Sequence, residues 1–460
     1  MFEIVPIETP SLGDRSYLVH DRGDALVVDP QRDIDRILGY LQERGLRLRA
    51  VFETHLHNDY VTGGHALAQA TGATYHVNGD DLVQVPRVAL SDGDVIDVTP
   101  SLSMQALLTP GHTHTHLSYL LRNNGTIVAA FTGGSLLFGS VGRPDLLGDD
   151  STVELAHAQF TSAHRIAEYA PDFAQVLPTH GFGSFCSASQ TEATESTIGA
   201  EKASNPALSL DQDAFVRELL AGLDDYPAYY VHMAPINHNP PAGPPDIGSI
   251  PTAAGAHELR ARIQAGEWVV DLRTRQAYTA GHVPGSLNVG LDGSFVTYLG
   301  WTIPWGTPLT LIADDPGQIV DAQRELVRIG IDRVEAAAVG TAEELSAPSL
   351  PERIPRVDFA AVPGALAQPR TVVLDVRRRL EWAHGHIAGA IHIPLHELQQ
   401  RLDHAPTGQL WVHCGTGYRA SIAASMLAAT GHDVVLIDDD WANAEHAGLT
   451  VTCERTGSTA

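Results

Sequence analysis

The chain of 460 residues contains a single lysine, Lys202, and three cysteines, Cys186, Cys414 and Cys453. Its 29 Lys and Arg stand against 55 Asp and Glu, a formal net charge of −26. Phosphate backbones are held by basic footprints, so this charge speaks against a nucleic-acid partner and equally against an anionic membrane surface. Three scattered cysteines make no disulfide framework, which points to a reducing compartment. No uncharged apolar run approaches the roughly 18 residues of a membrane span. The start Met1-Phe2-Glu3-Ile4-Val5 lacks the basic and apolar regions of a secretory signal. A soluble cytoplasmic protein is expected. The scarcity of lysine beside abundant Ala, Arg, Asp and Gly fits a genomic composition bias and carries no functional reading.

At ~100–200 residues per domain the length calls for about three domains. The N-terminal third alternates short β-type runs with turn signals and a few helical patterns: Ala25-Leu26-Val27-Val28-Asp29, then a helix from Asp33 to Arg44, then Leu48 to Glu53. Val95 to Val98, Ser103 to Leu108, Leu117 to Leu121 and Thr126 to Phe131 follow one another without helices, which predicts antiparallel sheet. A helix is expected over Thr152 to Tyr169 and a strand near Gln175 to Leu177. Residues 201–255 read as a connector, a helical segment from Asp211 to Leu223 leading into the proline-rich Asn237 to Pro245.

Beyond the connector the chain repeats itself. Val270-Asp271-Leu272-Arg273 with Gly281-His282-Val283-Pro284-Gly285 recurs as Leu374-Asp375-Val376-Arg377 with Gly385-His386-Ile387-Ala388-Gly389, the Asp-to-His spacing being eleven in both copies. Two similar domains, 256–347 and 357–455, are the simplest account. In the second copy a strand, Leu410 to His413, runs into Cys414-Gly415-Thr416-Gly417-Tyr418-Arg419 and then a helix from Ala420 to Thr430. A glycine-rich loop between strand and helix turns backbone N–H groups inward and aims a helix N-terminus at its centre. With Arg419, that positive potential favours the thiolate of a cysteine placed there, ready to take up a sulfane sulfur as a persulfide. These residues resemble the rhodanese family of sulfurtransferases over about residues 357–455. The resemblance implies that Cys414 forms the persulfide and that Gly415, Thr416, Gly417, Tyr418 and Arg419 cradle the anion. The first copy reads Ala313-Asp314-Asp315-Pro316-Gly317-Gln318 at the same place. Without a thiol and with two carboxylates, it is expected to be structural or a docking element.

Histidine is what the chain has in quantity: 23 in all, of which His55, His57, His65, His76, His112, His114 and His116 share one stretch. Thr54-His55-Leu56-His57-Asn58-Asp59-Tyr60 follows an apolar run, and imidazoles two apart on a turn can converge on one ion. Thr109 to His116 and Pro178-Thr179-His180-Gly181 present further histidines from strand ends. The constellation resembles the metallo-β-lactamase fold, in its persulfide dioxygenase and glyoxalase II branches, over about residues 1–200. Phe131 to Leu136 and Gly142-Arg143-Pro144-Asp145-Leu146 extend the match. Two departures stand out. The family's His-x-His-x-Asp-His ends here in Tyr60, and the Thr-Gly-Asp that supplies a metal carboxylate reads Thr132-Gly133-Gly134.

The resemblances imply an α/β protein: a metallo-β-lactamase-like αββα sandwich over 1–200, then two rhodanese-like α/β domains with parallel sheets. They imply one Fe(II) or Zn(II) ion on His55, His57 and His112, with Asp59 and His180 as supporting groups or replacement ligands, and metal affinity regained in Gly134→Asp. Arg143 is expected either near the thiol substrate or in a structural pair with Asp145. The implied activity is oxidation of a small thiol persulfide to sulfite, with Cys414 linking persulfide, sulfite and thiosulfate. A thioester hydrolase of the hydroxyacylglutathione kind, and a sulfurtransferase or persulfide carrier with a silent metal domain, stand as alternatives. Oligomeric state, a homo-oligomer included, is left open.

Overall fold

The computed structural model describes residues 2–189, 193–249, 251–332, 334–449 and 451–452; Cys453 lies outside them. Alternating apolar residues build the first sheet. Strands β1 (Glu3–Thr9), β2 (Asp14–Asp21) and β3 (Asp24–Val28) pair antiparallel. The β2–β3 turn is the pair Arg22-Gly23, both at positive φ (51° and 95°), which matches the right-handed twist of a tight hairpin. Helix α1 (Asp35–Arg44) and helix α2 (Gly64–Thr71) then make crossovers to β4 (Arg47–Phe52) and β5 (Thr74–Asn78), and β6 (Val88–Leu90) closes the edge, so β3 to β6 are parallel. The second sheet holds β7 (Val95–Asp97), β8 (Leu102–Leu108), β9 (Leu117–Asn123) and β10 (Thr126–Gly133), antiparallel as expected. Helix α3 (Asp149–Tyr169) returns the chain to β11 (Gln175–Pro178), parallel to β10.

The two sheets face each other. Leu26, Val28 and Phe52 from one meet Met104, Tyr119, Leu121 and Phe131 from the other in a single buried cluster. The opposite faces carry helices: α1 and α2 over Leu18, Val27 and Val51, and α3 over Leu107, Leu120 and Ala130. This is the αββα sandwich. Helices α4 (Ile198–Ser204), α5 (Pro206–Ser209) and α6 (Gln212–Ala221), started by side-chain caps from Thr197, Asn205 and Asp211, put Ile198, Ala207, Phe215 and Leu219 into the α3 cluster. The helical first part of the segment read as a connector, through α6, is therefore core of the first unit, because its apolar residues recur at helical spacing and find the outer face of α3. Helix α7 (Tyr230–His238) follows.

The chain divides into two compact units, Met1–Asp246 with Leu326–Ile331, and Ile247–Glu325 with Asp332–Ala460. The second holds two five-stranded parallel sheets of one topology. In the first copy the spatial order is Thr252–Ala253, Ala336–Val339, Leu309–Ala313, Trp268–Asp271, Leu287–Asn288; in the second it is Arg356–Val357, Asp433–Ile437, Gln409–His413, Thr371–Asp375, Ile391–His392. The shared Asp-to-His spacing is a fold lock. Arg273 and Arg377 each clamp the aspartate two residues earlier and donate to the carbonyl of Gly281 or Gly385 (3.0 and 2.7 Å). The following His282 and His386 stack on Tyr278 and Trp382 (ring centroids 3.9 and 3.6 Å). Among the described residues no helix is long and apolar enough to cross a membrane.

Candidate functional site

Three strand ends of the sandwich converge. After β4 the chain turns through His55 to Tyr60, the β8–β9 turn brings His112, and the end of β11 brings His180; His55, His112 and His180 are each at most 1% exposed. Asp29, at the end of β3, ties two of these loops together: its carboxylate accepts from Thr54 N (2.7 Å) and Thr54 Oγ1 (2.7 Å) and from the hydroxyl of Thr179. His55, His112 and His180 each place one ligand atom within 4.8 Å of the others. Each ring is anchored through Nδ1: His55 to Thr54 Oγ1 (2.9 Å), His112 to the Arg143 carbonyl (2.9 Å) and His180 to Asp14 Oδ1 (2.9 Å). Their Nε2 atoms are left for the centre. His55 Nε2 and His180 Nε2 are 3.4 Å apart, and His112 Nε2 is buried with no hydrogen-bond partner. Two nitrogens bound to one tetrahedral ion at about 2.05 Å stand about 3.3 Å apart, so the spacing suits a metal.

The electrostatics agree. Burial and the surrounding imidazoles hold His55 well below its usual range, and burial first, then His180, brings His112 to about 3, so both are neutral with lone pairs available. Against burial, Asp59 and Asp14 push His180 up to about 10. The proton it carries faces His55 and is the one an entering cation would displace. Asp59 reaches His180 Nδ1 with Oδ2 (3.2 Å) and leaves a buried Oδ1 without a hydrogen-bond partner.

His57, expected beside His55 and His112, groups with Asp59 and His180, and its Nδ1 is buried without a hydrogen-bond partner. Its ring stacks on Tyr60 (4.2 Å), and its Nε2 meets the Tyr60 hydroxyl (2.9 Å), Asp29 Oδ1 (3.3 Å) and Glu53 Oε2 (3.4 Å). Against burial, Asp29 and Glu53 push it up to about 9. His180 is shared between this group and the one formed by His55 and His112. Tyr60 fills the space beside His57 and is fully buried.

Gly134 is more than a missing carboxylate. A Cβ there would lie 2.3 Å from His112 Cδ2 and 2.5 Å from its Cγ, so the imidazole occupies the room a side chain needs. This reverses the expectation for Gly134→Asp: the substitution evicts a ligand. Arg143 forms the structural pair with Asp145. It grips Asp145 through two bonds of 2.7 Å, donates to the carbonyls of Phe185 (3.3 Å) and Asp224 (2.6 Å), and lies over the Tyr226 ring. Its contribution to the centre is the carbonyl that orients His112. Asp14, Asp29 and Glu53 escaped sequence reading because none belongs to a motif; Asp29 and Glu53 had one signal, their place at the end of an apolar run. Cys186 is fully buried, and burial with Asp59 and Asp14 nearby pushes its thiol well up, so it stays protonated.

In the second unit Cys414 sits, 2% exposed, between strand Gln409–His413 and helix Tyr418–Ala429. The Gly417 N–H donates to its Sγ (3.2 Å). Gly417 is at φ +91°, and a Cβ there would lie 2.2 Å from Asp438 Oδ1, so the loop admits only glycine. Arg419 is not a free cation: both terminal nitrogens bind Glu381 (2.6 and 2.8 Å), and against burial Arg419 brings that carboxyl down to about 2. Tyr418, expected in the cradle, points away and donates to the Gly290 carbonyl of the cysteine-less copy (2.6 Å). That copy reaches back to the loop. Arg275 donates to the Thr416 carbonyl (3.4 Å), and helix Phe295–Thr302 lays Tyr298 and Trp301 along a cavity shared with Val376, Arg378, His396 and Arg419. In the first copy the corresponding amides are already taken: Asp314 and Asp315 N–H donate to Gln318 Oε1 (3.0 and 3.3 Å) and Gly317 N–H to Asp315 Oδ1 (2.7 Å).

Residues 14–166 match the Metallo-beta-lactamase superfamily, and residues 255–324 and 360–447 match the Rhodanese-like domain. The chain is 37% identical over 144 residues to a hydroxyacylglutathione hydrolase of Methylobacillus flagellatus, covering 31% of this chain and 55% of that protein. With one of Gloeobacter violaceus it shares 30% identity over 203 residues, 40% of this chain and 79% of that protein. It spans little more than half the length of several such hydrolases. The crystal structure of a metallo-beta-lactamase from Staphylococcus aureus subsp. aureus COL is similar to it with a TM-score of 0.65 and 27% identity, over 74% of this chain and 99% of that one. Such domains support an enzyme of the sulfur-transfer or hydrolase kind, and the converging histidines and carboxylates support a bound metal ion. The chain belongs to the metallo-beta-lactamase superfamily and carries rhodanese-like domains in its C-terminal half.

Proposed function

We propose that this chain is a sulfur-metabolism enzyme that oxidises a low-molecular-weight thiol persulfide, of the glutathione persulfide kind, to sulfite and transfers sulfane sulfur through Cys414. The observation that carries the reading is the presence on one chain of a buried three-histidine group and of a cysteine beneath the N-terminus of a 12-residue helix. The oxidation balances as RSSH + O₂ + H₂O giving RSH, sulfite and two protons, the sulfane sulfur losing four electrons to O₂. At Cys414 a thiolate attacks the sulfane sulfur of thiosulfate or of a persulfide. The new S–S bond forms as the old one breaks, and sulfite or thiolate leaves, with no net redox change.

One Fe(II) or Zn(II) ion fits His55, His112 and His180, with Asp59 beside them, and iron so held supplies open positions for a sulfur ligand and O₂. The protein's own part is orientation. Thr54, the Arg143 carbonyl and Asp14 each fix one Nδ1, so the three Nε2 lone pairs stay aimed at one point. Hydrolysis of a hydroxyacylglutathione thioester is a second reading, favoured by the names of the curated relatives and by the further trio His57, Asp59 and His180. Against it, Gly134 leaves a two-metal site without a bridging carboxylate there.

The test is to purify the full chain, count Fe and Zn per chain, and measure O₂ uptake with glutathione persulfide, thioester hydrolysis, and thiosulfate:cyanide sulfur transfer. O₂ uptake with about one iron per chain is expected. No uptake by iron-loaded protein, with Cys414-dependent transfer intact, overturns the oxidation; thioester hydrolysis with two metals replaces it by the second reading.

A further inference from the structure

We propose that Asn237 and Tyr229, on the helix that follows the sandwich, are positioning residues of the metal centre. The inference rests on the reading of His55, His112 and His180 as that centre. The loop from His57 to Thr62 carries His57 and Asp59 yet lies outside any strand, so its backbone groups need partners from elsewhere. They find them about 175 residues further along. Asn237, fully buried, donates through Nδ2 to the carbonyls of His57 (2.9 Å) and Tyr60 (2.8 Å), and its Oδ1 accepts from Thr62 N–H (2.9 Å). Tyr229, which caps the start of α7, donates its hydroxyl to the Asp59 carbonyl (3.1 Å). Four hydrogen bonds from one helix thus span the ligand loop.

The geometry admits only an amide at 237. Two carbonyls and one N–H must be met at once, which fixes the orientation of the Asn side chain and excludes Asp, whose second oxygen would face two carbonyl oxygens. A leucine would fill the space and leave all three backbone groups unsatisfied. The loop would then keep its residues but lose the register that sets Asp59 beside His180.

The test uses the full chain and Co(II), whose visible absorption reports coordination geometry. Wild type, Asn237→Asp, Asn237→Ala, Tyr229→Phe and His112→Ala are titrated with Co(II) against a chelator, and circular dichroism with the thermal unfolding transition of the first unit checks that this unit is folded in each variant. The Co(II) dissociation constant is expected to rise roughly 10- to 100-fold in both Asn237 variants, with an altered spectrum, and by less in Tyr229→Phe. Should the alanine variant fail to fold, Tyr229→Phe, which removes one hydroxyl, carries the measurement. Wild-type affinity and spectrum in Asn237→Asp and Tyr229→Phe, with binding lost in His112→Ala, overturn the inference alone. Absence of Co(II) binding by wild type overturns the metal-centre reading and this inference with it.

Discussion

His112 is held between two glycines: besides the contact at Gly134, a Cβ on Gly142 would lie 2.7 Å from its Nδ1. Gly134→Asp is accordingly expected to weaken Zn(II) binding, read by calorimetric titration; tighter binding would refute the steric argument. Arg143 makes a different kind of contribution, because its buried guanidinium is spent on Asp145 and two loop carbonyls. Arg143→Ala should lower the unfolding free energy of the first unit by about 3–5 kcal/mol, the usual result of stranding one member of a buried pair. The KM for persulfide of the protein that stays folded should be unchanged. At Cys414 the pair Glu381–Arg419 sets a pH limit. The folded carboxyl is at about 2 against an ordinary 4.5, so the pair's stabilisation is present above about 4.5 and is lost as pH falls toward 2. Glu381→Gln should remove that acid-side dependence from the unfolding midpoint of the second unit.

At the scale of elements, helix Phe295–Thr302 of the cysteine-less copy belongs to the Cys414 site. Tyr298 lines a cavity with Arg419 and Arg378, and Trp301 stacks on His396 (5.0 Å). Tyr298→Phe is expected to reduce kcat/KM for thiosulfate:cyanide transfer about fivefold, as loss of a contact worth ~1 kcal/mol would; an unchanged value would make the helix a mere support. Elements of this kind separate what the chain displays locally from what it hides. Leu102, Met104 and Ala106, or Leu117, Tyr119 and Leu121, announce their strands by alternation, and the tandem copies by a shared spacing. The parallel run β3 to β6 was not visible as such, since pairing direction depends on where α1 and α2 carry the chain. His180 stands 125 residues from His55, and Asn237 180 from His57, so only the closed sandwich brings them together. Proline at 235 also disguised α7, although the ring is accommodated inside the helix.

For the whole molecule, the two proposed chemistries fall in separate compact units, so each should be removable without the other. Cys414→Ser should abolish thiosulfate:cyanide transfer and leave metal content untouched, and His112→Ala the reverse, assayed on one preparation of each variant. The net charge of −26 gives anionic sulfur compounds no general attraction, which leaves their capture to local amides and arginines. The closed loop of the first copy carries a further consequence. A cysteine placed at Asp314 would arrive where Asp315 and Gln318 have already claimed the amides that a thiolate would lean on. A working thiol in that copy therefore takes coordinated change at several neighbouring positions, and Asp314→Cys alone should add no thiosulfate:cyanide transfer in a Cys414→Ser background.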